Sequence, residues 1–250
     1  MFTIEQPKLS SKVLHPFEPL IDKRSFPMRA YDYMQTYFPD SRGPHAHVPH
    51  RSALSNFKRL FDLLGSIVGI LLLTIVFIPI VIALKLDSPG PIFYSQTRCG
   101  LGGKLFKIHK FRSMVMNAEA LKSTVKNEAV GLIFKNKSDP RVTRIGQFLR
   151  KTSLDELPQF WNVFSGDMSL VGTRPPTLDE VKHYRPHHWQ RLAVKPGITG
   201  EWQVYGRSSI ENFEQIVQLD LRYQARWSVF YDLLLLIKTF KVVLFRQGAY

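Results

Sequence analysis

The 250-residue chain contains a single cysteine, Cys99, and so cannot form an intrachain disulfide. This is consistent with a protein that faces a reducing compartment such as the cytoplasm. Four short patterns are also absent: GxxxxGK[ST], GxGxxG, HExxH and CxxC. Their absence excludes a Walker loop, a dinucleotide-binding fingerprint, a zinc-protease helix and a paired-cysteine redox or zinc motif. Any nucleotide must therefore be bound without the common phosphate-binding loops.

Acidic residues are few compared with basic ones. The chain has 20 Asp and Glu against 34 Lys and Arg, which gives a formal net charge of +14. A basic excess of this size predicts an anionic partner, which could be nucleic acid, anionic lipid or a phosphorylated substrate.

No charged residue occurs in the 22 residues from Leu63 to Leu84, LLGSIVGILLLTIVFIPIVIAL. As a helix this run would be about 33 Å long, enough to cross the hydrocarbon core of a bilayer. It lies too far from the N-terminus for a cleavable signal peptide. Basic residues flank both ends, and Pro79 can bend a helix. Composition alone therefore leaves two alternatives open: a segment that spans the bilayer, or a re-entrant one that returns to the same face.

The chain divides into three predicted regions. Residues 1–57 lack an apolar period and are expected to be a disordered arm, residues 58–86 a membrane helix, and residues 87–250 a catalytic domain. Strands are predicted at 91–98, 104–114 and 167–176, helices at 113–130, 142–152, 153–166 and 210–227, and an extended segment at 196–207. The apolar stretch 228–245 is interrupted by Asp232, Lys238 and Lys241, which favours an amphipathic helix packed on the domain or lying in the membrane interface.

Two adjacent carboxylates, Asp155 and Glu156, occur in the stretch TSLDELPQ. Ser153 and Glu156 have the spacing of a helix capping box, which is the simplest interpretation. However, the neighbouring segments are strongly basic, with Arg141, Arg144, Arg150, Lys151 and Arg174. One carboxylate could act as a nucleophile toward phosphorus while the other binds Mg²⁺ and the basic residues offset phosphate charge. A phosphoryl-transfer site and a helix cap are compatible, because helix N-termini also favour anions.

Several longer motifs occur in a fixed order. They are KRLFD (58–62), SPGPIFYSQTRCG (88–100), FKIHKFRSM (106–114), DPRVTRIGQFLRKTSLDELPQFWNV (139–163), GDMSLVGTRPP (166–176) and KPGITGEWQVYGR (195–207). Together they resemble the bacterial sugar transferases, the monotopic phosphoglycosyl transferases, over roughly residues 58–246.

The resemblance implies a reaction and a cofactor. Members of this family transfer a sugar-1-phosphate from a UDP-sugar to polyprenyl phosphate, usually undecaprenyl phosphate, and release UMP. They use Mg²⁺ and a ping-pong path through a covalent phosphosugar intermediate, at the start of exopolysaccharide or related glycan synthesis.

The resemblance also assigns roles to residues. Asp155 matches the nucleophile and Glu156 the metal-associated acid. Six basic residues match positions expected to bind substrate phosphates: Lys110, Arg112, Arg141, Arg144, Arg174 and Arg207. Asp232 matches a late acidic position of less certain role.

The fold class implied is a mixed, helix-rich α/β protein associated with the membrane. A re-entrant N-terminal membrane helix, broken at proline, would carry a compact cytosolic catalytic domain with amphipathic interfacial helices, on the cytoplasmic face of the bacterial inner membrane. Two departures from the family pattern are that Pro79 lies late in the apolar run and that GTRPP replaces the more usual GPRP. The family's larger members add N-terminal spanning helices, and the chain is expected to be of the short form.

Two other functions compete with this one. A membrane-anchored basic module could bind anionic lipid or nucleic acid without chemistry, but it would leave the acid pair without a purpose. A glycosyltransferase acting on lipid-linked sugar would release UDP, and no DxD motif supports it. The expected partners are therefore a UDP-sugar, polyprenyl phosphate and the anionic inner leaflet, not nucleic acid. The sugar, the pathway and the oligomeric state stay open.

Overall fold

The computed structural model of the protein describes residues 49–206 and 210–245. The helices of this part are α1 (Arg51–Leu54), α2 (Asn56–Asp87), α3 (Arg144–Thr152), α4 (Gln159–Ser165), α5 (Leu178–Lys182), α6 (Glu201–Tyr205), α7 (Phe213–Arg226) and α8 (Val229–Leu244). The strands are β1 (Phe93–Cys99), β2 (Leu105–Phe111), β3 (Ser169–Val171) and β4 (Gly197–Thr199). Short 3-10 turns occur at Leu101–Gly103, Ala120–Thr124, Leu154–Glu156 and Pro186–Ala193. The predicted mixed, helix-rich α/β class is confirmed.

Helix α2 contains the uncharged run and is the longest element of the described chain. Ser55 caps it, because its side-chain oxygen accepts a hydrogen bond from the backbone N–H of Lys58. The helix continues through Pro79 to Asp87. The predicted interruption at the proline is therefore not observed, since the turns on either side keep their hydrogen bonds where proline loses one. By length and composition, α2 is the one helix in the described ranges that could cross a membrane.

One face of α2 packs against the rest of the protein along its whole length. Buried or half-buried positions recur every three or four residues, the spacing of a single helix face. They are Lys58, Asp62, Ser66, Gly69, Leu73, Val76, Ile80 and Leu84. The opposite face is apolar and exposed, with Leu60, Leu64, Ile67, Leu71, Ile75, Ile78, Ile82 and Leu86.

Both ends of α2 contact the same globular unit. Near its start, the Asp62 carboxylate accepts hydrogen bonds from the Ser169 hydroxyl and the Leu170 N–H, both at 2.9 Å. Near its end, Ile80 and Leu84 lie in a buried cluster with residues of β2 and α3. The position of α2 was predictable from the sequence, but its contacts with the globular unit near both ends were not.

Strands β1 and β2, which confirm the strands predicted at 91–98 and 104–114, form an antiparallel hairpin. The pairing runs from Phe93 opposite Phe111 to Cys99 opposite Leu105. The turn between them places Gly102 at φ 61°, in the left-handed region that glycine adopts without strain. Burial raises the pKa of the Cys99 thiol to about 12, so this cysteine is not a reactive nucleophile at neutral pH.

The main core lies between the hairpin, strand β3 and the last two helices. Strands β3 and β4 pair in parallel, with Ser169 opposite Gly197 and Val171 opposite Thr199. Their side chains pack with buried residues of α7 and α8, among them Tyr223 and Leu235. Helices α7 and α8 confirm the predictions at 210–227 and 228–245.

Three local predictions are wrong. Residues 113–130 form only a 3-10 turn at Ala120–Thr124, because the Asn127 side chain bonds to the backbone of Ala129, Ile133 and Lys135 and competes with helix formation. The extended segment 196–207 is extended only over Gly197–Thr199 and then forms α6. The helix predicted for 153–166 is a 3-10 turn followed by α4.

The predicted region boundaries are slightly displaced. Helix α2 begins at Asn56 and ends at Asp87, one or two residues beyond the 58–86 that the sequence indicated. Most of the predicted arm, residues 1–48, lies outside the described residues.

Candidate active site

Asp155 and Glu156 lie on the 3-10 turn that joins α3 to α4. Ser153 precedes them at φ 57°, and it is the only non-glycine residue of the described chain with a positive φ. This left-handed residue ends α3 and reverses the chain before the acids. The predicted capping box does not form, because the Ser153 side chain makes no cap hydrogen bond and Glu156 pairs elsewhere.

Apolar packing fixes this turn against helix α2. Leu154 packs onto the cluster formed by Ile80, Leu84, Phe111 and Leu149, which joins α2, β2 and α3. The acid pair is therefore attached to the side of α2, within its apolar run. This gives a physical reason for the leucine directly before Asp155.

The two acids differ in exposure. Asp155 is only 5% exposed, whereas the Glu156 side chain is 26% exposed. Glu156 Oε1 accepts a hydrogen bond from Lys110 Nζ at 2.7 Å, and the Lys110 side chain is 27% exposed. Lys110 comes from β2, whose next residue, Phe111, points into the apolar cluster on the other face of the strand. The structure thus brings together three of the predicted site residues: Asp155, Glu156 and Lys110.

Arg150 is a fourth member of this group, which the sequence placed among the nearby basic residues but which the resemblance did not include among the phosphate ligands. Burial lowers the pKa of its guanidinium, and the nearby negative charges of Asp155, Asp139 and Glu156 oppose that shift. Its Nε donates to the Ser113 hydroxyl at 2.9 Å. Arg150 lies four residues after buried Gly146 on α3, so helical spacing places it on the inward face, and that was the available signal.

Arg141 and Arg144 lie near the start of α3 but in different surroundings. The buried Arg141 guanidinium pairs with both oxygens of Asp139, at 2.9 and 2.7 Å, and donates to the Ala118 carbonyl. Arg144 is exposed at the first position of the helix. The role of both residues as phosphate ligands stays a prediction. The contacts that Arg141 makes stabilise the loop before α3.

Arg112 contacts the protein backbone at the end of a helix. Its guanidinium donates to the carbonyls of Leu84, Ser88 and Pro89 at the C-terminal end of α2. The Leu84 carbonyl also accepts the Ser88 N–H, whereas the Ser88 and Pro89 carbonyls lie just beyond the end of α2. A cation at this position complements the negative end of the helix dipole. The guanidinium predicted to bind phosphate is thus engaged in capping α2.

Arg174 belongs to a second polar cluster. It makes two hydrogen bonds to Glu180, at 2.7 and 3.0 Å, and its guanidinium lies 5.7 Å from the centre of the Trp202 ring. Burial and the charge of Arg174 lower the pKa of the neighbouring Arg98 to about 10. The Arg174 guanidinium is thus engaged with Glu180 and Trp202, and its predicted contact with a substrate phosphate stays a prediction.

Asp232 is buried in a third cluster, where α2 meets α8. Its carboxylate accepts hydrogen bonds from Lys58 Nζ, from the Tyr223 hydroxyl at 2.9 Å and from Trp227 Nε1 at 3.1 Å. Lys58 also donates to the Val171 carbonyl at 2.9 Å. A carboxylate 1% exposed with three donors has the environment of a structural residue rather than of one that meets substrate. Arg207, the last predicted ligand, lies outside the described residues.

The chemistry of the acid pair suits a magnesium ion. Mg²⁺ favours one or two carboxylates together with substrate phosphates, and Glu156 is a partly exposed carboxylate beside a second one.

A different group of candidate ligands, His187, His188 and Glu214, has ligand atoms within 4.8 Å of one another. However, His188 Nδ1 accepts the Arg185 N–H at 2.9 Å, so a neutral ring carries its proton on Nε2, the atom facing Glu214. A metal at that nitrogen would require the other tautomer, and we assign none.

Comparison with known proteins places the chain in a family. The family model described as "Bacterial sugar transferase" matches residues 53–246. The chain belongs to the bacterial sugar transferase family. The resemblance drawn from its motifs is confirmed.

Three relatives show how far the similarity extends. "Galactosyl transferase CpsE" of Streptococcus agalactiae is 50% identical over 194 residues, which are 77% of this chain and 43% of the relative. "Undecaprenyl-phosphate galactose phosphotransferase" of Salmonella typhimurium is 45% identical, over 77% of this chain and 41% of the relative. "Exopolysaccharide production protein ExoY" of Rhizobium meliloti is 38% identical, over 77% of this chain and 88% of the relative. The chain thus spans about two fifths of the length of the first two and most of the third.

Proposed function

We propose that the protein transfers a sugar-1-phosphate from a UDP-sugar to polyprenyl phosphate, usually undecaprenyl phosphate, and releases UMP. This would be an initiating step of exopolysaccharide or related glycan synthesis. The observation that carries the proposal is the acid pair: a buried Asp155 next to a half-exposed Glu156, with Lys110 and Arg150 beside them, in a chain of this family.

The reaction proceeds in two displacements. A carboxylate oxygen of Asp155 attacks the phosphorus that bears the sugar, and the bond from that phosphorus to the UMP oxygen breaks. An aspartyl phosphosugar and UMP result. A phosphate oxygen of the polyprenyl acceptor then attacks the same phosphorus, and the Asp155 carboxylate leaves unchanged.

The charges around Asp155 support these steps. Lys110 and Arg150 place positive charge where the diphosphate must lie, which offsets the charge that builds up on its oxygens during transfer. Glu156 would hold Mg²⁺, which when bound would neutralise further diphosphate charge. Because Lys110 donates a hydrogen bond to Glu156, it orients that carboxylate and offsets its negative charge.

The exposed surface supports attachment to a membrane. The outward apolar face of α2 is joined by exposed apolar residues of α8, such as Phe230, Ile237 and Phe240. Surfaces of this extent are rare on soluble monomers and mark a membrane or a partner.

The contacts at both ends of α2 support a re-entrant course. A helix that crossed the bilayer would place its ends on opposite sides, yet Lys58 near one end and Leu84 near the other pack on the same globular unit. Since proline can bend a helix without ending it, we infer that α2 bends at Pro79 and so enters and leaves the cytoplasmic leaflet of the inner membrane, with the acid pair beside it at the bilayer surface.

The nucleotide product tests this function. Purified protein in non-ionic detergent with Mg²⁺ and undecaprenyl phosphate would be given UDP-galactose, UDP-glucose or UDP-N-acetylglucosamine, and the released nucleotide would be separated by chromatography. The proposal predicts UMP in amounts matching the lipid-linked sugar phosphate formed. UDP instead of UMP would contradict it and indicate an ordinary glycosyltransferase, while no nucleotide with any donor would favour a binding module.

A further inference from the structure

A group of cationic and aromatic side chains lies on the flank of α8, apart from the acid pair. The ring of Tyr205, 45% exposed at the end of α6, has Lys238 Nζ 4.8 Å from its centre and the Arg222 guanidinium 5.4 Å from its centre. Lys238 also donates a hydrogen bond to the Tyr205 hydroxyl. Three elements, α6, α7 and α8, therefore bring two cations to one exposed aromatic ring.

A buried carboxylate holds this group in place. Glu201 is fully buried and pairs with Arg222 Nε, and its other oxygen accepts the Tyr231 hydroxyl at 2.6 Å. The Arg222 side chain nevertheless keeps 40% of its surface exposed. Glu201 thus orients the Arg222 guanidinium from its buried side, and the other side of the guanidinium is exposed.

The group has more positive than negative charge. Arg222 and Lys238 together carry two positive charges and Glu201 one negative, and exposed Lys241 follows Lys238 after one turn of α8. A phosphate oxyanion would complement this excess, and the Tyr205 hydroxyl could donate to it as well.

An apolar surface lies directly beside these cations. Leu234 and Ile237, both exposed, are on the same helix as Lys238, within one turn of it. Inorganic phosphate would contact only the charged part of such a surface. A ligand with an anionic head and apolar chains would contact both parts.

We propose that Tyr205, Arg222 and Lys238 form a binding site for the headgroup phosphate of an anionic phospholipid, whose chains pack against α8. Such a site fixes the rotation of α8 and the depth of the domain in the leaflet. It rests on the membrane attachment proposed above but not on the proposed reaction.

A titration without substrates tests the site. The whole chain in non-ionic detergent would be titrated with a short-chain phosphatidylglycerol, and binding would be measured by calorimetry. Phosphatidylcholine of the same chain length and inorganic phosphate are the two comparison ligands. We expect saturable binding of phosphatidylglycerol, at least tenfold tighter than binding of either comparison ligand.

Two lysine variants distinguish a specific phosphate-binding site from non-specific electrostatic attraction. Loss of one lysine near an anionic surface weakens binding about fivefold. Lys241→Gln should show that effect, whereas Lys238→Gln, which also removes a charge-assisted hydrogen bond, should weaken phosphatidylglycerol binding about thirtyfold. Unchanged thermal unfolding of both variants in detergent confirms that they are folded.

Several results would overturn the proposal. Equal losses in the two variants would mean that only net charge matters. Inorganic phosphate binding as tightly as phosphatidylglycerol would mean an anion site with no lipid component, and displacement by equimolar undecaprenyl phosphate would mean an acceptor site. Because no donor sugar is present, failure of the transferase reaction would leave this result untouched.

Discussion

Two acid–base clusters lie along helix α2, and they differ in what surrounds the acid. Near the start of the helix, Asp232 is 1% exposed and its carboxylate accepts three hydrogen bonds from side chains. Beside the apolar run, Glu156 is 26% exposed and pairs with Lys110, which is exposed to a similar degree. A substrate can reach the second cluster but not the first. The partly exposed Lys110 and Glu156, which adjoin the buried Asp155, therefore distinguish the candidate site from the fully buried cluster around Asp232.

The largest effect on stability is expected from Asp232→Asn. The substitution leaves the buried Lys58 ammonium without its carboxylate, and breaking a buried pair in this way costs about 3–5 kcal/mol. Chemical unfolding of the protein in detergent measures the loss. Asp167→Asn, whose carboxylate lies 3.8 Å from Lys104 at the surface, is the control and should change stability by less than about 1 kcal/mol. An Asp232→Asn protein of normal stability but without activity would instead give Asp232 a catalytic role.

Glu156→Gln should reduce activity strongly and stability little, which is the reverse of the effect expected for Asp232→Asn. Loss of the carboxylate that would hold Mg²⁺, and so of the ion's stabilisation of the diphosphate, should lower kcat by about a hundredfold or more. Unfolding free energy should change by less than about 1 kcal/mol, because the pair with Lys110 is half exposed. Steady-state UMP release, with the exposed Glu119→Gln as control, gives the comparison. Equal losses of activity in Glu156→Gln and Glu119→Gln would show that Glu156 does not act in the site.

Gly146→Ala tests the packing that places Arg150. A Cβ at this position would lie 2.0 Å from the Ser113 carbonyl oxygen. Helix α3 would therefore have to move away from Ser113, whose hydroxyl accepts a hydrogen bond from Arg150. Overpacking of this kind costs about 1–3 kcal/mol. Unfolding measurements should show the loss for Gly146→Ala but not for Gln147→Ala, which is exposed on the same helix. Normal stability in the glycine variant would mean that α3 is not held tightly at this point.

The smallest effect is a pH dependence at Arg141. The Arg141 guanidinium holds the pKa of Asp139 below its usual value. A carboxyl group with a lowered folded pKa stabilises the protein above its unfolded pKa, about 3.9, and loses that contribution as the pH falls through the folded value. The difference in stability between the native protein and Arg141→Gln should therefore stay constant above about pH 5 and narrow as the pH falls below about 3.9. A gap that stays constant would show that Arg141 acts by packing alone.

The sequence predicted features that arise from local patterns. The uncharged run of α2 and the segments that form β1, β2, α3, α7 and α8 were identified from local composition, and Asp155 and Glu156 are adjacent in the chain. Pairings across the chain were not predictable. Lys58 and Asp232 are separated by 174 positions, and nothing local to Arg112 shows that it caps α2. The family motifs assign similar phosphate roles to Lys110 and Arg112, yet only Lys110 lies beside an acid of the pair.

The most direct test of the central claim is the mass of the protein itself. Purified protein would be incubated with Mg²⁺ and a UDP-sugar but without any lipid acceptor, and its intact mass measured, with Asp155→Asn as the control. The account predicts a stoichiometric increase of one phosphosugar in the native protein, equal release of UMP, and neither in the variant. An adduct that persists in Asp155→Asn would contradict the assignment of Asp155 as the nucleophile. UMP that appears only after acceptor is added, with no adduct, would contradict the covalent step.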